Sequence, residues 1–520
     1  MKILFFGLSS KFIHTMPSGW FLAEFLQQKG IEIVEKYHSV NEDYDTLRNE
    51  ILCKEWDAVL FSVYIFNVKT VRQLIKDIRK ASSCKIIVGG PEVDLDLDAN
   101  HIVFGEGETA LYNLLTSSGE KVIYGKNITN LDDIPSPYTV KRLSESKNKL
   151  IYYESSRGCP FSCSYCMAGL TKGVRYFSLE RVQNDLKRIV DSGAKIIKFT
   201  DRTFNANTER TNAILNMIAN NFADKDVCFH FEVGGDLFNK STLDILKTLP
   251  VGLVQMEAGV QTLNEKSLQA ICRKFNKERF LQNITKILSY NNIHMHLDLI
   301  AGLPYETMES FIYSFNGVMN IKPHKVQLGF LKMLKHTPIR ESYNAVFESD
   351  APYEIVSTPY MTENELATLK DIDWITDKLY NTGKFSYTLE LLLNNCNNYY
   401  QLFYNLAEHF KELGIKKGAQ EHLLYQGILS YSKNDKRIKE SLRFDYLLTN
   451  KSSSVPKVLR NKYTAEFKRF LSSRKTNNLV CYESFSYLTT ENKDGNFIVE
   501  FDYIYKNKVS GKFSYKIIES

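Results

Sequence analysis

The chain of 520 residues predicts an α/β fold made of two successive strand–helix alternations and an α+β tail. Three observations predict it. Apolar runs of strand length alternate with amphipathic segments up to about residue 125. The alternation restarts at Leu150. From about Ser342 it gives way to Leu- and Asn-rich helical sequence and then to alternating strand sequence. The first alternation, with its short loops, reads as a doubly wound parallel sheet. The second reads as a partial (β/α)6 barrel, and the third as an α+β domain. The corresponding boundaries are 1–126, a linker at 127–148, 149–341 and 342–520.

In the first part the strand candidates are Lys2–Leu8, Ile31–Tyr37, Asp57–Phe66, Lys85–Val88 and His101–Phe104. Between the third and fourth, Val71, Leu74, Ile75 and Ile78 recur at i, i+3, i+4 and i+7, one face of a helix. Sheets of this kind bind ligands beyond the carboxyl ends of their strands. The residues there are Ser9-Ser10, Ser62-Val63-Tyr64, Gly89-Gly90-Pro91-Glu92 and Gly105-Glu106-Gly107-Glu108. Small residues at successive strand ends let a backbone approach a large flat or anionic ligand. The stretch 127–148 holds Pro135-Ser136-Pro137 and little periodicity, hence its reading as a linker.

In the second part the strand candidates are Leu150–Ser155, Lys195–Thr200, Val227–Val233, Gly252–Val260, His294–Ile300 and Lys325–Leu331, with helices such as Leu179–Ser192 and Asn276–Tyr290 between them. A β/α barrel carries its active site at the strand carboxyl ends. His230, His294 and His296 lie on apolar strands, where a packed core histidine is the expected role. In the tail, Tyr353–Tyr431 reads as helical. Lys433–Lys475 is basic and reads as a solvated helix surface, and Lys493-Asp494-Gly495 reads as the turn of a hairpin.

Composition excludes several classes. A net charge of +6 over this length is mild for a dedicated nucleic-acid binder. Hydrophobic content of 43% suffices for buried cores, yet no stretch reaches the ~18 apolar residues that span a bilayer. The nine cysteines are odd in number and scattered, which does not suit a disulfide framework. A cytoplasmic protein without membrane attachment is expected.

One cysteine cluster stands apart: Cys159, Cys163 and Cys166, spaced C-x3-C-x2-C in Ser156-Arg157-Gly158-Cys159-Pro160-Phe161-Ser162-Cys163-Ser164-Tyr165-Cys166. Zinc normally takes a fourth Cys or His at a matching spacing, and none lies nearby. Three thiolates are one short of saturating a cubane [4Fe–4S] cluster. The remaining iron is then open to a small molecule, so the loop marks a reaction centre.

The spacing, with glycine before the first Cys and an aromatic before the third, resembles the signature of the radical S-adenosylmethionine (SAM) superfamily. The resemblance covers about residues 150–340. It implies that reductive cleavage of SAM at the cluster yields a 5′-deoxyadenosyl radical, with electrons from a donor such as flavodoxin or ferredoxin. It also implies SAM contacts. Tyr165 falls against the adenine. Asp201 and Asn205 stand where a Gly-Gly-Glu motif often holds the amino group, a departure that leaves the role open to backbone carbonyls. Glu232 ends the third strand as a SAM contact, Glu257, Gln261 and Arg273 fall where ribose and carboxylate are recognised, and Ile300 falls at an adenine-contacting strand end.

A Rossmann-like domain before such a barrel resembles the cobalamin-binding subclass of the superfamily. The resemblance implies a corrin held by Ser9, Ser62, Tyr64, Gly89, Gly90, Pro91, Glu92, Gly105, Glu106 and Gly107. In methionine-synthase-like domains a D-x-H-x-x-G loop supplies an axial cobalt ligand. Here Phe12 stands in place of Asp and Gly19 is displaced, which counts against His14 in that role.

The function implied is methylation of an unactivated carbon by way of methylcobalamin. The alternatives are radical rearrangement or cyclisation without methyl transfer, and a non-catalytic corrinoid- or SAM-binding protein. Sulfur insertion into tRNA is weakened because Cys53 and Cys84 are isolated. The substrate (small molecule, peptide or RNA) is not encoded in any readable motif. The C-terminal part resembles an uncharacterised domain that follows such pairs in bacterial proteins.

Overall fold

The computed structural model describes residues 1–117, 119–171, 173–450, 455–473 and 479–519. The chain divides into two units. The first comprises Met1–Gln255, Gln269–Phe275 and Leu331–Val356; the second comprises Met256–Leu268, Asn276–Phe330 and Ser357–Ser520.

The first unit opens with a six-stranded sheet: β1 (Ile3–Ser9), β2 (Val34–Ser39), β3 (Ala58–Ser62), β4 (Lys85–Gly89), β5 (His101–Gly105) and β6 (Val122–Gly125), in the order β2-β1-β3-β4-β5-β6. All neighbours are parallel. Helices α1 (Pro17–Gln28), α2 (Tyr44–Leu52), α3 (Val68–Ala81) and α4 (Gly107–Thr116) alternate with the strands. Every residue of β1 and β3 is buried, as strands covered on both faces must be. Period-2 alternation splits their side chains between two cores. Leu4, Phe6, Leu8, Val59 and Phe61 pack with Val71, Leu74, Ile75 and Ile78 of α3, the face expected from sequence. Ile3, Phe5 and Leu60 pack with Leu26, Ala110, Leu111 and Leu114 of α1 and α4. Each fully buried Leu or Ile contributes roughly 1.5–3 kcal/mol. The strand order reverses between β1 and β3, which places a crevice at their carboxyl ends. Asn67 fixes that point. Its buried amide donates to Leu8 O and Ser62 O at 3.0 Å and accepts from Tyr64 N at 2.7 Å.

The stretch 127–148 departs from its reading as a linker. It holds a short helix, Val140–Glu145, and buries Leu131, Ile134, Tyr138 and Leu143. Arg142 pairs with Glu24 and Glu35 at 2.6 Å each. Its prolines interrupt periodicity without preventing packing.

The second alternation follows with β7 (Ile151–Tyr153), β8 (Ser156–Cys159), β9 (Gly173–Tyr176), β10 (Ile196–Phe199), β11 (Cys228–Val233) and β12 (Val254–Gln261). β7, β10 and β11 are parallel neighbours. Ile151, Tyr153, Ile197, Phe199, Phe229 and Phe231 are buried, while Tyr152, Lys198 and Glu232 on the opposite face are half-buried. β8 and β9 form an antiparallel hairpin that the sequence did not suggest.

In the second unit, β13 (His294–Ala301) and β14 (Lys325–Phe330) run parallel, with helices Lys277–Ser289 and Met308–Asn320. β14 lies at an end of its sheet. The Asn381 side chain donates to Val326 O at 2.8 Å and accepts from Val326 N at 2.9 Å.

Further helices run to Ser472. Among them, Lys436–Thr449 is buried from Glu440 on, yet Lys433, Lys436, Arg437, Lys457, Arg460, Lys462, Lys468 and Arg469 are exposed, so the basic stretch is largely a solvated surface and the interior of this helix is the exception. Its Arg443 is 1% exposed, 2.9 Å from Glu440 and 3.4 Å from Glu483, and it donates to Ser484 O. Residues 451–454 and 474–478 of the basic stretch lie outside the described residues. The strands Val480–Leu488, Lys493–Lys506 and Phe513–Glu519 close the chain as an antiparallel sheet. The hairpin turn falls at residues 489–492, with Leu488 opposite Lys493, and not at Lys493-Asp494-Gly495. Asn492 takes the left-handed conformation there at φ 52°. Among the described residues no helix is long and apolar enough to cross a membrane.

Candidate functional site

The crevice of the first sheet encloses about 480 Å³. Its walls come from the inner face of the sheet (Phe5, Leu60, Ile87, Val103) and from Phe21, Leu22 and Leu111 of α1 and α4. Its rim carries Ser62, Tyr64, Gly89, Gly90, Gly105, Glu106 and Gly107, all expected from sequence. Gly90 is obligatory: φ is +117°, and a Cβ would meet Val63 O at 2.6 Å. Gly89 differs, since a Cβ there would come no nearer than 3.5 Å to any atom. Pro91 is not among the lining residues.

Three other candidates are engaged elsewhere. Ser9 donates to Lys11 O at 2.9 Å and His38 O at 3.0 Å. Glu92 is buried, accepts from Tyr353 Oη at 2.5 Å and lies 3.3 Å from Lys335. His14 lines a separate cavity of about 800 Å³, its Nδ1 2.9 Å from Tyr152 Oη. Burial, with Lys11 and Lys198, lowers its pKa.

Glu154, Arg157, Thr200 and Arg202 also line the crevice; the first two just precede Cys159 in the chain, and the last two just precede Thr203, which lies beside Cys159. Cys159 ends β8 opposite Gly173, so the hairpin presents the loop between its strands. Backbone hydrogen bonds pin the loop: Ser164 N to Ile271 O at 3.0 Å, Ile339 N to Ser164 O at 3.1 Å and Cys166 N to Cys163 O at 3.1 Å. All three cysteines are free thiols, with Cys163 buried and the other two half-buried. Cys159 Sγ lies 3.7 Å from Thr203 Oγ1. Burial raises the pKa of Cys163, while the Arg273 guanidinium hydrogen-bonds it and favours the thiolate; Cys166 and Cys159 are near enough to perturb it. Three unpaired thiols on one pinned loop, one of them beside a cation, fit iron–sulfur ligation.

Asp201 and Asn205 are recruited by the backbone. Buried Asp201 accepts from Ser155 N at 3.0 Å, Ser155 Oγ at 2.7 Å and Ser156 Oγ, tying the end of β10 to the start of the loop. Burial raises its pKa, with the two serines opposing. Asn205 holds Gly234 through two 2.8 Å hydrogen bonds. Both side chains thus hold backbone at the strand ends. Half-buried Tyr165 lies near Cys163, Cys166 and Arg273, and desolvation raises its phenol pKa. Glu232 is 3.8 Å from Lys198. His230 Nδ1 is 3.4 Å from Gln255 Nε2.

In the second unit, Glu257 and Gln261 lie on β12, Gln261 at φ 67°, and Ile300 on β13 opposite Gly329. His294 stacks on His324 at 4.8 Å.

Glu306, just past β13, carried no signal in the sequence beyond its turn. It is fully buried, Ser310 Oγ donates to it at 3.1 Å, and burial raises its pKa to about 7 from an ordinary 4.5. Between these values the unfolded chain has released the proton and the folded chain retains it. Stability therefore falls as pH rises through this window, by about 3 kcal/mol in all. Glu306→Gln is expected to flatten the fall, as thermal melting of the apoprotein between pH 5 and 8 would show.

Sequence reasoning also missed Arg157. Burial lowers its tendency to stay charged, but Glu154, Glu108 and Glu106 outweigh burial and raise its pKa. For Glu106 the order is similar: burial raises its pKa, but Arg175, the Ile128 N–H and Arg157 lower it further. Arg157 lies 49 residues from Glu108 and Arg175 lies 69 from Glu106, beyond any local motif.

Three family models match the chain in succession: the B12 binding domain over residues 5–115, the radical SAM superfamily over 153–316 and a protein of unknown function (DUF4080) over 341–517. The chain thus carries a B12-binding domain, a radical SAM domain and a C-terminal DUF4080 domain. The radical SAM domain implies a [4Fe–4S] cluster and SAM, and the B12 domain implies cobalamin.

The chain is 24% identical over 331 residues to the cobalamin-dependent radical SAM methyltransferase TokK of Streptomyces tokunonensis, covering 55% of this chain and 48% of TokK. It is 27% identical over 317 residues to the hopanoid C-3 methylase of Methylococcus capsulatus, covering 51% of this chain and 56% of that one. It therefore spans about half the length of the curated relatives it matches. Among solved structures, the cobalamin-dependent SAM radical enzyme OxsB with aqua-cobalamin bound shares the fold at TM-score 0.57 and 16% identity, covering 86% of this chain and 80% of that one. The radical SAM methyltransferase TsrM from Kitasatospora setae, with cobalamin and a [4Fe–4S] cluster bound, does so at TM-score 0.54 and 15% identity, covering 67% and 76%.

Proposed function

We propose that this protein is a cobalamin-dependent radical SAM enzyme that methylates an unactivated carbon. The observation that carries the reading is the shared wall: Glu154, Arg157, Thr200 and Arg202, beside the cysteine loop, also line the crevice of the B12-binding sheet. A radical source and a methyl carrier must meet over one substrate, and this adjacency provides for it. When bound, the cluster and SAM supply a 5′-deoxyadenosyl radical and cobalamin a transferable methyl group.

The chain's own residues have these roles. Cys159, Cys163 and Cys166 ligate iron, and Arg273 favours the Cys163 thiolate. Tyr165 packs by the adenine, with Glu232, Glu257, Gln261 and Ile300 as further SAM contacts. Asp201 and Asn205 position strand ends. Ser62, Tyr64, Gly89, Gly90, Gly105, Glu106 and Gly107 shape the corrin crevice, and the apolar wall excludes water from it. The proposal includes the division into 1–126, 127–148, 149–341 and 342–520, a cytoplasmic location, and reduction by a flavodoxin- or ferredoxin-type donor.

Turnover is expected to give S-adenosylhomocysteine, 5′-deoxyadenosine and methionine together, with a product heavier by one methylene unit. A product without that gain points to rearrangement or cyclisation. The crevice is tested separately. Gly89→Phe fills open space on the rim without backbone strain, so hydroxocobalamin binding is expected to fall at least tenfold, the effect of about 1.4 kcal/mol. Unchanged affinity in equilibrium dialysis refutes the crevice as the corrin site.

A further inference from the structure

Arg157 stands between the crevice and the cysteine loop. Its guanidinium is 2.7 Å from Glu108, 2.9 Å from Glu154 and 3.6 Å from Glu106, and it lies over the Phe21 ring at 5.4 Å. Glu106 and Glu108 belong to the start of α4, on the glycine-bearing rim of the crevice. Arg157 itself lies on β8, two residues before Cys159. A second arginine repeats the connection: Arg175 of β9 pairs with Glu106 and donates to Ile128 O. Both strands of the hairpin that presents the three thiols thus grip the same rim.

The arginine side chain suits this work, because its guanidinium presents five donors in a rigid planar fork that meets carboxylates bidentately. Among the described residues, Glu108 and Glu154 have no ion-pair partner other than Arg157. Without it, two carboxylates that are largely buried lose their counter-charge, and only Arg175 still joins hairpin to rim.

We propose that Arg157 is a positioning residue that couples occupancy of the corrin crevice to the cysteine loop, so that binding of cobalamin and binding of SAM favour each other. This rests on the reading of the chain as a cobalamin and SAM binder. A ligand that orders the rim holds Glu106 and Glu108, and these hold the hairpin through the arginines. Coupling of this kind is reciprocal: the factor by which cobalamin changes SAM affinity equals that by which SAM changes cobalamin affinity.

The test uses the full chain, reconstituted anaerobically with iron and sulfide. SAM binding is measured by equilibrium dialysis with and without saturating hydroxocobalamin, and hydroxocobalamin binding with and without SAM. The wild-type protein is expected to show an equal mutual enhancement of about fivefold or more. Arg157→Gln is expected to keep its iron, to bind hydroxocobalamin more weakly because Arg157 lines the crevice, and to show a factor near one. Arg157→Lys should fall between. Glu108→Gln, which removes one strut and leaves Arg157 two carboxylates, should lower the factor and serves if Arg157→Gln does not fold.

A purely structural role would weaken both affinities and leave the factor unchanged. That result in either variant overturns the inference, as does a wild-type protein that binds both ligands independently. A wild-type protein that binds no hydroxocobalamin instead refutes the proposed function.

Discussion

Replacing Cys163 by Ala is expected to remove the cluster and reduce formation of 5′-deoxyadenosine from SAM to background, with the fold intact. Cys163 is the most enclosed of the three cysteines and the one that Arg273 hydrogen-bonds. The loop is held by backbone bonds to Ile271 and Ile339, which do not involve sulfur. Loss of the thiol therefore leaves the loop in place but with two ligands, too few to hold a cubane with one open iron. Iron content after reconstitution and chromatographic detection of 5′-deoxyadenosine read the two effects separately. Arg273→Gln is the graded companion. It leaves the ligands and removes a hydrogen bond to one, a change that costs about 10–100-fold in affinity or activity at other metal sites. Wild-type cleavage by the Cys163→Ala variant would sink the central assignment.

The second large effect concerns stability of the second unit. Arg443→Ala is expected to destabilise it by about 3–5 kcal/mol, because it leaves buried carboxylates without their counter-charge. The guanidinium lies 4.3 Å from the Phe485 ring centroid and faces Glu440 and Glu483. Burial raises the pKa of Glu483 and Arg443 opposes the rise. Both acids have neutral donors as well: Tyr463 Oη at 2.8 Å from Glu483, and Asn461 Nδ2 and Ser486 Oγ at 2.6 and 3.1 Å from Glu440. These donors soften the loss without neutralising it. Combining Arg443→Met with Glu440→Gln and Glu483→Gln removes all three charges and should recover most of the stability. Urea unfolding followed by tyrosine fluorescence measures both variants, and an Arg443→Ala midpoint equal to wild type would contradict the argument.

The two alternations were legible because burial on one or two faces writes a period into the sequence. The apolar positions of α3 and the bounds of β4 follow from that period directly. β6 escaped because it is four residues long and has no buried position. The hairpin of β8 and β9 escaped for another reason. Ser-Arg-Gly-Cys and Gly-Val-Arg-Tyr carry no alternation, and the strands pair where the cysteine loop returns on itself.

In the site, the three cysteines and the glycine rim were legible, since their chemistry requires those residue types at those spacings. The bonds by which Asp201 and Asn205 hold backbone, and the Tyr353 and Lys335 contacts of Glu92, were not. A polar residue at a strand end suits a ligand and a backbone amide equally, and only the fold decides which it meets. The tail hairpin was misplaced because Asp-Gly is a strong turn signal, yet Asn492 supplied the left-handed residue first.

The amide of Asn381 occupies both hydrogen-bonding groups of Val326 that an incoming strand would use. An unprotected end strand is a template on which a second molecule can polymerise. Here one side chain imitates the missing neighbour and ends the ladder at that residue. The protection is local and cheap in sequence terms, for it needs a single amide at the right height.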